Sequence, residues 1–136
     1  MIPYIKKLWV EALRSGNYKK GDERLSVIDN GVKCFCALGV LCDLAVSEGV
    51  EVEVTVDSDF MNERYKFIKY DGEASVLPLS VMEWADLPLP SPVVSVTQTV
   101  EGDELLASDY QEWDIGDMND SGYTWEVIAD AIERSL

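Results

Sequence analysis

Apolar residues recur at three- and four-residue spacing through Ile5, Leu8, Trp9, Ala12 and Leu13, and the run stops at Ser15-Gly16. That period predicts an amphipathic helix over residues 3–15, with Pro3 in the first turn where a missing N–H costs nothing. Beyond a basic, polar loop at residues 17–21, the stretch Arg24 to Asp29 alternates. Asn30-Gly31 then supplies a two-residue turn and Val32 to Cys36 follows, together the signature of a β-hairpin. Residues 36–48 place Leu38, Leu41, Cys42 and Ala45 on one face and end at Gly49, which predicts a buried helix. Gly39 within it costs about 1 kcal/mol against Ala, so its presence implies a second backbone crossing closely there.

Val50 to Val56 alternates strictly, Val-Glu-Val-Glu-Val-Thr-Val, which predicts a strand with valines inward and carboxylates outward. Arg64 to Tyr70 is its expected antiparallel neighbour, closed by Asp71-Gly72. Leu79 to Ala85 reads as a short helix behind Pro78, with Ser80 as a candidate cap. The prolines between Leu87 and Pro92 make a stiff connector, and Val93 to Val100 alternates as a further strand. Residues 102–120 are acidic and show no clear period. Thr124 caps a last helix whose apolar stripe is Trp125, Ile128, Ala129, Ile132 and Leu136, with Glu126, Asp130 and Glu133 toward solvent. Glu126 suits that helix's positive end and Arg134 its negative end. The sum is an α+β fold: one domain over residues 1–136, short antiparallel strands and hairpins, and about four helices.

Charge changes this picture more than composition does. The chain holds 26 Asp and Glu against 11 Lys and Arg, with no histidine, for a net charge of −15. Residues 1–36 hold seven basic and four acidic side chains, a net of +3; residues 37–100 hold three and eleven, a net of −8. Residues 101–136 hold only Arg134 against eleven carboxylates, a net of −10. Such an exterior repels nucleic acid and most membranes and attracts basic protein surfaces or cations. A hydrophobic content of 47% gives enough apolar surface to offset chain entropy, so the charge does not imply disorder. No apolar run approaches the ~20 residues of a membrane span. The N-terminus lacks the charged-then-apolar order of a signal peptide. An odd three cysteines argue against a disulfide framework, and a reducing cytoplasm is the expected compartment.

Candidate chemistry is sparse. Cys34, Cys36 and Cys42 supply three thiols where a structural zinc needs four N or S ligands, and without histidine no Cys–His pair is possible. Cys36, near a helix N-terminus, is a candidate for a lowered pKa; otherwise all three pack as small hydrophobes. Asp117 to Gly122 imitates the opening of a calcium loop, but the position needing a bidentate Glu falls on Ile128. A turn whose Asn and Asp side chains bond local backbone and lead into Thr124 fits better. The run from Asp109 to Asp120 interleaves carboxylates with Tyr110, Trp113, Ile115 and Met118. It reads either as a docking surface, with Asp109, Tyr110, Glu112, Trp113, Asp114 and Asp117 as partner-binding residues, or as an acidic flank whose apolar residues face the domain's own core. The basic cluster Lys6, Lys7, Arg14, Lys19, Lys20 and Arg24 either holds a phosphate group or offsets the molecule's own carboxylates, and no glycine spacing there forms a phosphate loop. No catalytic residue, cofactor or metal ligand is assigned.

Three blocks carry a family resemblance: residues 9–18 (WVEALRSGNY), residues 36–45 (CALGVLCDLA, continuing to Val81-Met82-Glu83-Trp84), and residues 118–133 (MNDSGYTWEVIADAIE). In this order they resemble a small family of open reading frames of tailed bacteriophages and prophages. Phe35, Ala37, Trp125 and Val127 depart from its usual text. The resemblance implies a phage-encoded cytoplasmic protein and no particular activity. Joined to the charge, it leads to an expected function as an acidic accessory protein. Such a protein binds, and by binding inhibits, a basic surface of a bacterial host or host-defence protein, in its sharpest form by imitating nucleic acid. A nucleotide-binding or sequestering protein, or a weak metal-dependent hydrolase, is the alternative.

Overall fold

A computed structural model describes residues 1–59, 61–97 and 110–136. Five helices and six strands follow in the order α1 (Pro3–Arg14), β1 (Ser26–Asp29), β2 (Val32–Phe35), α2 (Ala37–Ser47), β3 (Val54–Asp59), β4 (Asn62–Tyr70), α3 (Leu79–Ala85), β5 (Val93–Thr97), β6 (Tyr110–Asp114), α4 (Ile115–Asp120) and α5 (Trp125–Ser135). The fold is α+β. An antiparallel sheet of order β2-β1-β4-β3 and a second, two-stranded antiparallel sheet of β5 and β6 flank the helices.

The expected hairpin forms with Asn30 and Gly31 both at positive φ, 50° and 82°, the backbone a two-residue hairpin turn requires. α2 lies at the centre. Leu38, Val40, Leu41, Cys42 and Ala45 have no exposed surface, so the helix is apolar nearly all round, as a core helix must be. Its start is closely set against the loop entering β1. A Cβ built on Gly39 falls 1.6 Å from the carbonyl oxygen of Leu25, the close crossing that the glycine implied. α1 packs on both α5 and α2, and α1 and α5 contribute Trp9, Leu13, Ile128 and Ile132 to one continuous core.

A buried carboxamide joins four of these segments. Asn119, fully enclosed in α4, accepts from Ala37 N at 3.1 Å and Trp125 Nε1 at 2.9 Å. Its Nδ2 donates to Gly21 O at 2.8 Å. Opposite it, Trp9 Nε1 donates to Ala37 O at 2.9 Å, so the first residue of α2 is held through both peptide groups.

Several expectations need correction. α4 is a fifth helix inside the acidic stretch: its six residues are too short for a period to show, and it starts because Asp114 caps it. Consequently Asp117 to Asp120 belong to a helix and not to a turn, and Asn119 bonds distant backbone instead of local backbone. Ser80 is not a cap: Pro78 holds that position without a side-chain bond, and Ser80 Oγ donates to Asp71 Oδ2 at 2.5 Å. The alternating stretch at residues 50–56 forms a strand only from Val54 onward. Val50 and Val52 pack against the core, but Val54 and Val56 are 46% and 53% exposed. Alternation reports which residues share a face; it does not say that another element covers the far end of that face. β5 ends at Thr97, and the rest of the expected strand to Val100 lies outside the described residues.

Gly39→Ala drives a methyl into the Leu25 carbonyl, and we expect a loss of several kcal/mol, on the scale of ~3 kcal/mol or more, read as a collapse of the thermal midpoint. Asn119→Ala strands the Ala37 N–H, the Trp125 N–H and the Gly21 carbonyl. Each buried orphan costs about 1–3 kcal/mol, so chemical denaturation should show a comparable or larger loss.

Candidate functional site

Part of the acidic stretch read as a docking surface serves the fold. Asp109 lies outside the described residues, and Tyr110 opens β6. Trp113 is half-buried, stacked edge-on against Tyr123 with ring centroids 5.4 Å apart, and its Nε1 donates to Gln111 Oε1 at 3.4 Å. Ile115 and Met118 are fully buried. Asp114 Oδ1 accepts from Ser91 Oγ at 2.7 Å and Asp117 N at 3.0 Å, which makes it the cap of α4. Burial pushes the Asp114 carboxyl up, but the bonds from Ser91, Asp117 and Gly116 outweigh it and hold the group below its ordinary range. Asp117 is pushed the other way, because it shares a hydrogen bond with Asp114 and feels its charge. Glu112 and Asp117 remain exposed. Among the described carboxylates of the six, Glu112 is exposed outside any such bond, and Asp117 is exposed but tied to Asp114.

Half of the basic N-terminal cluster, Arg14, Lys20 and Arg24, is engaged within the molecule. Arg14, at the end of α1, receives Glu126 at 3.2 Å, Glu133 at 2.7 Å, and Asp130, all from α5. The hydrogen bonds to Glu133 and Asp130 raise the guanidinium pKa further above its already high value. The side of α5 expected to face only solvent is thus the anionic half of the α1–α5 contact. Lys20 Nζ donates to Asn119 O at 3.1 Å and sits 3.4 Å from Asp22, and Arg24 stacks on Phe67 at 4.8 Å. Lys19 and Arg64 border an open groove of about 710 Å³, with Asn30 and Asn62 beside them.

The three thiols are free and buried. Cys36 occupies the N-cap position of α2, where its Sγ accepts from Gly39 N at 3.4 Å. The expected lowering of its pKa is corrected: burial pushes it up to about 11, and pushes Cys42 well above its ordinary value too. A helix terminus lowers a thiol's pKa only where the thiolate stays solvated, and this one is enclosed. Tyr70 is likewise pushed up to about 12 by burial, while its hydroxyl bonds Ser26 Oγ at 2.9 Å. Tyr18 is raised by burial and by its 2.6 Å bond to Asp43. Among the described residues, no group of three or more Cys, Asp or Glu side chains is arranged to hold a metal ion. No helix there is long and apolar enough to cross a membrane.

What the surface offers is electrostatic. Exposed carboxylates occupy Glu51 and Glu53 before β3, Glu112 on β6, Asp117 and Asp120 on α4, and the outer side of α5. A domain of unknown function, DUF8296, matches residues 1–136. The chain belongs to that family. No curated protein matches it, and no solved structure does. Sequence reasoning missed two features of this DUF8296 chain: the Arg14 cluster, formed between segments more than a hundred residues apart, and the outer edge of β3, which no other described strand pairs. A signal for the first existed in the helical spacing of Glu126, Asp130 and Glu133.

Because Cys36 and Tyr70 bind their protons more tightly folded than unfolded, their contribution to stability is complete below the unfolded values of 9.0 and 10.0 and is lost as pH rises through about 11 and 12. We expect unfolding free energy to be flat from about pH 7 to about pH 8.5 and to fall steeply above it. Aromatic thiol reagents should label the cysteines at neutral pH only after denaturant unfolds the chain.

Proposed function

We propose that this chain is a phage-encoded accessory protein that acts in the host cytoplasm by binding, and so inhibiting, a basic surface of a host or host-defence protein. The observation that supports it most is the net charge of −15 on a fold with one continuous core of buried apolar residues. An exterior of that charge draws in a basic surface over distances of about a Debye length, near 10 Å at ordinary ionic strength, and opposes approach of nucleic acid. A groove built to hold DNA or RNA presents such a surface, so imitation of a nucleic acid's charge is the sharpest form of the reading.

The enclosed thiols of Cys36 and Cys42, which burial holds in the protonated form, are not activated nucleophiles. Three of the six cations that motivated a nucleotide-binding alternative, Arg14, Lys20 and Arg24, are drawn into contacts with α5, Asp22 and Phe67, which favours the binding reading over it. Within the acidic stretch, the reading now rests on Glu112, with Asp114 kept as a cap and Asp117 tied to it.

Affinity for a partner recovered from host lysate should fall by about tenfold or more between roughly 0.05 and 0.5 M salt, most of it in the association rate. Glu112→Gln should slow association about twofold while leaving the thermal midpoint unchanged. Affinity that is indifferent to salt overturns the reading.

A further inference from the structure

β3 is the outermost strand of its sheet, and among the described residues only β4 bonds the backbone of Val54 to Ser58. The ladder fixes which of its groups point outward. Asp71 N donates to Glu53 O at 2.8 Å, so Glu53 and Asp71 form a hydrogen-bonding pair, and alternate residues of an antiparallel ladder repeat that role. Thr55 and Asp57 therefore turn their N–H and C=O groups toward Lys69 and Phe67 of β4. The other side of β4 agrees: Asn30 N donates to Arg64 O, which commits Arg64, Lys66 and Ile68 to β1 and leaves Phe67 and Lys69 for β3. Val54, Val56 and Ser58 are left presenting their peptide groups to the outside, with the Val54 and Val56 side chains exposed beside them. An open edge flanked by apolar side chains is a template for an added strand.

The charge pattern decides what that strand is. Carboxylates stand at odd positions, Glu51, Glu53 and Asp57, and valines at even ones. Directly opposed residues in an antiparallel pair share a face. Every antiparallel self-pairing that keeps valines against valines thus sets carboxylate against carboxylate: Glu53 against Asp57 when centred on Thr55, Glu51 against Asp57 when centred on Val54. Lys69, 2.6 Å from Asp57, relieves one of these charges only, and each copy brings a net −15. A second copy is opposed by both terms. A strand carrying cations on the odd face and aliphatic side chains on the even face is favoured by both.

We propose that the Val54–Ser58 edge docks an extended segment of a partner protein in which Lys or Arg alternates with aliphatic residues. This deepens the binding reading above and rests on it: the exterior charge gathers the partner and the β3 edge seats it.

The test titrates the intact protein with a short capped peptide alternating Lys and Val, at low salt, following backbone amides by NMR. Binding should move the amides of Val54 to Ser58 most and slow the hydrogen exchange of Val54 and Val56. The same peptide N-methylated at alternate residues should bind at least about tenfold more weakly. Val56→Pro should do the same, since the lost N–H points away from β4 and an edge strand tolerates proline; if that variant fails to fold, the N-methylated peptide decides alone. Equal affinity for the N-methylated peptide, or shifts centred on α5, overturns the edge and leaves the acidic binding reading intact. No binding by this or any other basic peptide at low salt overturns both. A concentration-dependent dimer that Val56→Pro abolishes makes a second copy the occupant and overturns the proposal.

Discussion

The position of α2 is the constraint on which the rest of the fold depends, and the Asn119 carboxamide does most to set it. A helix apolar on nearly every side carries no directional information of its own, because hydrophobic burial is indifferent to rotation and register. The peptide groups of Ala37 supply that information. The N–H is bound by Asn119 and the carbonyl by Trp9, so α4 and α1 approach the helix start from two sides. Asn119 also bonds Trp125 at the head of α5 and Gly21 in the loop before β1. One amide, with two acceptor and two donor directions, closes contacts among elements from both ends of the chain. The assignment of its oxygen and nitrogen is fixed by the partners themselves, two N–H donors on one side and a carbonyl on the other.

The close crossing at Gly39 follows from the same placement. Once the first turn of α2 is pinned, the Leu25 backbone runs directly against it, with Cys36 N donating to Leu25 O at 3.0 Å. No side chain fits in the interval. Ser26 is consequently carried into the core, where its hydroxyl meets that of Tyr70 and no buried side-chain polar atom among the described residues lacks a partner. This satisfaction is what lets a strongly charged chain keep a dry interior.

Much of the fold was legible wherever a local rule and the tertiary demand agreed. α1, the Asn30-Gly31 hairpin, α2 with its glycine, the Asp71-Gly72 turn and the Thr124 cap each follow from a period or a turn residue. What could not be read has a common cause. α4 is shorter than two helical turns, and its polar residues face three different surroundings: a cap at Asp114, a buried hub at Asn119, and solvent at Asp117. Asn119 sits in a sequence that looks like a turn, and only the approach of Ala37, Gly21 and Trp125 gives it another role. The exposure of Val54 and Val56 was equally hidden, since alternation is the same whether or not the far end of a face is covered. The candidate site was legible as charge but not as geometry. The aromatic and aliphatic residues that suggested anchors, Trp113, Ile115 and Met118, are claimed wholly or partly by the core.

The charge itself acts on the molecule in opposite senses at different distances. At contact range carboxylates are structural: three of them on α5 share Arg14, which ties the last helix to the first, and each such exposed pair adds at most about 1 kcal/mol. At longer range the unpaired excess repels itself, which works against compactness and also against association between copies. An edge strand with bare peptide groups and exposed valines would ordinarily invite aggregation. Here the odd-numbered carboxylates of that strand and the surrounding field oppose each self-complementary register that preserves the apolar face. The same two features leave the edge open to a strand of opposite charge. On the proposed reading one arrangement serves both ends: the carboxylates oppose like chains, while the peptide groups of Val54 and Val56, which no described residue bonds, stay available to an unlike one.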